Sequence, residues 1–159
     1  MNIRHIALLI VCLLLCQAAG FVGSLFNRRS IPGWYQGLQK PAGTPPGWVF
    51  APVWISLYVL MAIALFLVWR KGLSRPDVRL ALLVFALQLL LNVAWSFFFF
   101  YLRAPLAGLV DIVLLICAIL WTIERFKRVE PLAGWLLVPY LAWVGYATYL
   151  NAGLWLLNP

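Results

Sequence analysis

Five stretches of this chain, residues 6–26, 48–69, 80–102, 106–123 and 132–157, are each apolar over close to the thickness of a bilayer core. A hydrocarbon layer about 30 Å thick takes roughly 20 residues of helix to cross. In lipid, backbone N–H and C=O groups must be paired within the segment or around a closed barrel. The period-two alternation of barrel strands is absent. The expected fold is therefore an all-α integral membrane protein. It is read as a five-transmembrane-helix bundle, one domain over 1–159, with a Pro/Trp-rich lid over 27–47 between the first two helices. Short links after the second, third and fourth runs make sequence neighbours antiparallel. Composition agrees: 10% of residues are charged, against about 25% in soluble domains.

The first run opens like a secretory signal, with Arg4, a short apolar region and then Gln17, Ala18, Ala19 and Gly20. The apolar character continues to Phe26, so a retained helix is expected. The net charge of +8 lies in basic clusters between apolar runs. There it meets membrane lipid headgroups and the insertion machinery, and no nucleic-acid partner is expected. Eight basic residues fall on the N-terminal side: Arg4, Arg70, Lys71, Arg75, Arg79, Arg125, Lys127 and Arg128. Four fall on the other: Arg28, Arg29, Lys40 and Arg103. The positive-inside bias then makes the N-terminus cytoplasmic and turns the lid outward. Cys12, Cys16 and Cys117 lie within apolar runs and read as packing residues. His5 has no ligand-type neighbour, so no metal site is expected.

Trp34, Trp48 and Trp54 flank a segment braced by Pro41, Pro45, Pro46 and Pro52. Each proline fixes φ and removes a donor, so the segment is stiff. It is too apolar for a solvated loop and reads as a rigid, aromatic-lined lid over one end of the bundle. Phe50, Trp54 and Tyr58 follow at i, i+4 spacing on one face of the second helix. On the third, Gln88, Asn92 and Ser96 form a stripe with Trp95 beside it. A carboxamide at mid-bilayer depth does not face lipid. An interhelical hydrogen bond, worth about 1 kcal/mol, and a bond to a buried ligand are both open. The aromatic run 97–101 goes all round its helix, so part of it faces lipid.

On the fifth run, Pro139 predicts a kink by freeing the Trp135 carbonyl. Tyr140, Trp143, Ala147 and Asn151 share a face beyond it. Three helices thus each present aromatic and amide groups beneath a lid, which suits a flat, largely apolar ligand with a few polar edges. Asp111 is the one acid well inside an apolar run, a functional-site hypothesis by default. The helix dipole, a buried protonated state, a pair with Arg103 and a proton relay are its competing readings. Ala19 with Gly23 and Gly20 with Ser24 are small-xxx-small pairs, suited to packing within the chain or to a dimer seam.

These residues closely resemble the TspO/MBR family, the tryptophan-rich sensory proteins related to the mitochondrial translocator protein, or peripheral benzodiazepine receptor. The resemblance runs through Trp34, Tyr35, Leu38, Lys40, Pro41, Pro45, Pro46, Trp48, Val49, Phe50, Trp54, Leu57 and Tyr58. It continues in Gln88, Asn92, Trp95 and Ser96, and in Pro139, Tyr140, Leu141, Trp143, Leu150 and Asn151. It covers essentially the whole chain and implies a five-helix bundle, often a homodimer, with a cavity closed by the first loop. The implied ligands are protoporphyrin IX or haem and drug-like apolar molecules, with no required cofactor. Tyr35, Pro45, Trp54, Asn92 and Trp143 match the family's ligand contacts, and Tyr58, Gln88, Phe97 and Tyr140 extend the set.

The implied function is a receptor, sensor or carrier of tetrapyrroles in porphyrin homeostasis or stress regulation, in a bacterial cell membrane. One alternative is a light- and oxygen-dependent porphyrin-degrading enzyme, with Trp54 and Trp143 as the catalytic candidates. No nucleophile–base pair, metal site or nucleotide loop accompanies them, so indole or photosensitised oxidation would carry the chemistry. Another is a signalling scaffold. The family's eukaryotic sterol motif has a Tyr and a basic residue near the end of the fifth helix; neither follows Asn151 here.

Overall fold

The computed structural model describes residues 2–159. It consists of helices α1 (Ile3–Asn27), α2 (Gly47–Trp69), α3 (Pro76–Ser96), α4 (Pro105–Val129), α5 (Pro131–Leu136) and α6 (Val138–Leu157). Two single wide turns accompany them, Ile31–Tyr35 in the lid and Phe97–Tyr101 after α3. In these the bonds run from i to i−5, as in Tyr35 N–H to the Ser30 carbonyl and Leu102 N–H to the Phe97 carbonyl. The lid is therefore part helical rather than loop throughout.

Four helices are long and apolar enough to cross a membrane: α1, α2, α3 with its wide turn, and α4. The five expected spans are thus not all found in that form. The run over 132–157 is split at Leu137 into α5 and α6, where Pro139 denies a donor to the Trp135 carbonyl. α6, at 20 residues, is long enough to span but is not among those four; Tyr140, Trp143, Tyr146, Tyr149 and Asn151 put hydrogen-bonding groups along it. Several helices also outrun their apolar segments: α1 begins at Ile3, α3 at Pro76, and α4 continues to Val129. Hydropathy marks only the part inside hydrocarbon, whereas the hydrogen-bond ladder continues into the polar flanks. Pro76, Pro105 and Pro131 open their helices, where a missing N–H is harmless and the fixed φ is helical.

The core lies between α2, α3, α4 and the α5–α6 pair, with α1 laid against α2 and α3. Met61, Phe85, Ile119, Phe126 and Tyr140 are fully buried at its centre, and Phe85 stacks on Phe126 at 5.6 Å. Hydrocarbon tails are as apolar as leucine, so this packing works by close fit rather than by escape from water. On α1 the buried face is Cys12, Cys16 and Gly23. A Cβ on Gly20 would lie 2.5 Å from the Tyr58 ring, and one on Gly23 would lie 3.3 Å from Ser96 Oγ. The small residues of α1 therefore admit α2 and α3 of the same chain.

At the N-terminal end, Lys71 after α2 meets Glu130 between α4 and α5, with Nζ to Oε2 2.7 Å. The Lys71 hydrogen bond and charge hold the Glu130 carboxyl below its ordinary value, against some desolvation. A depressed carboxylate contributes stability above its unfolded value of about 4.3 and loses it as pH falls through the folded value. Below pH ~4.3 the unfolding temperature in detergent should drop more steeply for wild type than for Glu130→Gln, as followed by circular dichroism.

Candidate functional site

Four buried polar side chains from three helices form one directional chain. The Tyr58 hydroxyl on α2 donates to Asn92 Oδ1 on α3 at 2.5 Å. Asn92 Nδ2 donates to the Tyr140 hydroxyl on α6 at 2.8 Å, and that hydroxyl donates to Gln88 Oε1 at 2.9 Å. Gln88, Asn92 and Tyr140 are 1%, 5% and 0% exposed, so other protein groups surround the chain. The four-residue spacing of Gln88 and Asn92 puts both amides on the α3 face that meets α6. Donation runs in one order along the chain, from Tyr58 to Gln88. It leaves Gln88 Nε2 as the donor without a partner at the end.

Aromatic rings sheathe this chain. Trp54 stacks on Tyr58 at 5.6 Å and meets Tyr140 edge-on at 6.4 Å. Toward the lid, Trp143 meets Phe50 edge-on at 5.9 Å and leans on Tyr146 at 5.7 Å. A second amide anchor lies beside them: Trp95 Nε1 donates to Asn151 Oδ1 at 3.0 Å, and Asn151 Nδ2 donates to the Pro105 carbonyl at 2.7 Å. The one bond set ties α3 to α6 and to the start of α4.

The lid is fastened to the last helix through its backbone. The Tyr146 hydroxyl donates to the Gly43 carbonyl, and the Tyr149 hydroxyl to the Ala42 carbonyl at 2.9 Å. Asn158 pairs with both backbone groups of Gln39, at 2.9 and 3.0 Å. Pro41 rests on Gly153, where a Cβ would come within 2.6 Å of the proline ring. Gly43 has φ +83°, the left-handed turn that brings its carbonyl round to Tyr146. At the lid's other end, Ser30 Oγ donates to the Phe100 carbonyl at 2.5 Å.

Five of the nine residues expected at the site, Trp54, Tyr58, Gln88, Asn92 and Tyr140, meet in one cluster, and Trp143 lies on the layer above. Tyr35 belongs to the lid turn, tilted against Phe100 at 5.7 Å with Lys40 Nζ 4.9 Å from its ring. Pro45 is half-buried in the lid. Phe97 turns away, packing on Phe26 of α1 and on Tyr101. The pair of Asp111 with Arg103 does not form: Arg103 is exposed at φ +52°, and Asp111 is buried at 4% exposure with Oδ2 unpaired. Tyr146, Tyr149 and Asn158 were not among the expected residues. Their signal was slight: two tyrosines three residues apart in an uncharged helix, and an asparagine just beyond its end. A groove of about 440 Å³ lies elsewhere, on the outer side of α1, α2 and α3, and includes none of these residues.

Four long apolar helices, with polar groups gathered inward, fit a multi-pass membrane protein. The TspO/MBR family pattern matches residues 12–156, and the chain belongs to that family. It is 46% identical to the tryptophan-rich protein TspO of Chlorobaculum tepidum, over 98% of this chain and 99% of that one. The protein of the same name from Archaeoglobus fulgidus is 43% identical over 97% and 99%. The human translocator protein is 42% identical over 85% of this chain and 80% of its own.

Two outcomes follow from this geometry. Asn92→Ala strands the Tyr58 hydroxyl and should lower stability in detergent by about 1–2 kcal/mol, read as a fall in unfolding temperature. Replacing both Tyr146 and Tyr149 by Phe should speed amide exchange across residues 36–47 roughly tenfold, measured by hydrogen–deuterium exchange, with α3 and α4 unchanged.

Proposed function

We propose that this protein is a membrane receptor, sensor or carrier for tetrapyrroles such as protoporphyrin IX, taken up beneath the lid among α2, α3 and α6. One observation carries the reading. Trp54, Tyr58, Asn92, Tyr140 and Gln88 form an aromatic sheath around hydrogen-bonding groups at mid-membrane depth. Trp143 and a latched lid lie above it. Aromatic faces suit the macrocycle, and amide and hydroxyl groups suit its polar edge. Because the polar groups bond one another, a ligand enters by exchanging those bonds, which selects for a molecule that replaces them.

In this reading α5 and α6 together make a fifth crossing, with the N-terminus in the cytoplasm of a bacterial cell and the lid on the other side. The eight-to-four distribution of basic residues supports that orientation. Ligand affinity is the direct test. Purified protein in nanodiscs is titrated with protoporphyrin IX in the dark, following tryptophan fluorescence. Saturable quenching is expected for wild type, weakened about tenfold in Asn92→Ala and Trp143→Phe, a loss typical of one buried contact. Quenching that does not saturate, or that is unchanged in both variants, would mean that porphyrin only partitions into lipid.

A further inference from the structure

We propose that the outer groove of α1, α2 and α3 holds one acyl chain of an anionic phospholipid whose headgroup is bound by Arg79. The groove has a volume of about 440 Å³, and Leu15, Ala19, Leu65, Trp69, Ala86 and Val93 are among its walls. That is within the ~300–1,000 Å³ of ligand clefts. Its floor is buried Leu65, while Leu15 and Leu90 on its rims are 46% and 68% exposed. On a membrane-spanning chain that exposure is to hydrocarbon. A dent in such a surface loses dispersion contacts until something fills it, and acyl chains are what surround it.

Length and direction narrow the occupant. From Leu82 to Val93 the groove follows α3 for roughly 16 Å at 1.5 Å per residue. That is about half of a ~30 Å core, the depth of one leaflet. Its outer end is marked by Trp69, the last residue of α2, so it opens at the interface on the N-terminal side. Leu82, Ala86, Leu90 and Val93 form one stripe on α3. Arg79 continues that stripe by one turn, at i−3 from Leu82.

Charge narrows it again. The acids on this side are taken: Asp77 by Arg75, Glu130 by Lys71, and Glu124 by Arg125 and Arg128. Arg79 is exposed and has no carboxylate partner among the described residues. Arg70 caps α2 near the same end, its guanidinium over the Phe66 ring at 5.6 Å. A guanidinium offers a phosphodiester two parallel hydrogen bonds, which a zwitterionic headgroup partly satisfies within itself. An apolar trough of one-leaflet length, ending at an uncompensated arginine, therefore fits an anionic diacyl lipid.

The test counts lipids bound to the full-length protein in detergent by native mass spectrometry, with dioleoyl phosphatidylglycerol or dioleoyl phosphatidylcholine added. Wild type should bind the first phosphatidylglycerol about fivefold more tightly, the change one basic residue supplies near an anionic surface. Arg79→Gln should bring that ratio close to one. Ala86→Phe fills the trough from an exposed position and should remove the first adduct of both lipids. Val113→Phe, on the exposed face of α4, should leave it in place. Unfolding temperatures confirm that the variants are folded. Equal binding of the two lipids, a preference that survives Arg79→Gln, or a first adduct retained by Ala86→Phe would each overturn the proposal. So would a dimer that Ala86→Phe splits without changing the lipid count, since the groove would then be a seam between copies of the chain.

Discussion

An unpaired polar group in hydrocarbon costs several kcal/mol, and most features of this molecule answer that cost. The backbone answers it by being helical over nearly all of its membrane-depth length. Prolines sit at helix starts or where a freed carbonyl reaches a surface: Pro52, inside α2, releases the carbonyl of the exposed Trp48. Hydroxyls fold back on their own helix, as Thr122 does to Ala118 and Thr148 to Val144. The side chains too polar for either solution, Gln88, Asn92 and Asn151, turn inward and find partners on other helices. The inward turn fixes how α3 and α6 are rotated about their axes, and so which residues can reach a ligand.

The polar cluster is therefore structural glue and candidate recognition site in one. Tyr58, Asn92, Tyr140 and Gln88 hold α2, α3 and α6 together through one bond apiece between neighbours. A ligand that inserts among them must take over that duty, and the helices remain joined through it. Under the proposed function this would link occupancy to the packing of the bundle, as a sensor requires. The lid is tied through backbone carbonyls and Gln39 rather than through ion pairs. Its closure then depends on side chains of α6, the helix that also carries Tyr140 and Trp143.

The two ends of the bundle differ in kind. The lid end is closed by aromatic rings and neutral hydrogen bonds. The N-terminal end holds the exposed ion pairs and a surplus of cations. Exposed pairs contribute little each, so that end is stabilised mainly by packing, as where Lys127 lies over the Trp135 ring at 3.8 Å. The surplus charge is then available to lipid.

The sequence by itself determined the helical class, four of the five expected runs as long apolar helices, and an interruption of the last run near Pro139, because segment length, apolarity and proline chemistry act locally. It also placed Gln88 and Asn92 on one stripe and Tyr140 with Trp143 on another, since helical period is a local property. Only the tertiary structure decided which stripes met. Tyr58, Asn92, Tyr140 and Gln88 became one donor chain, while Phe97, equally aromatic and one turn beyond Val93, went to α1. At 3.6 residues per turn Phe97 lies roughly 140° round α3 from Asn92, on the side that meets Phe26 of α1. The latch of Tyr146, Tyr149 and Asn158 onto the lid was equally hidden. It depends on where a loop more than a hundred residues away in sequence comes to rest, which helix rotation and lid conformation settle together.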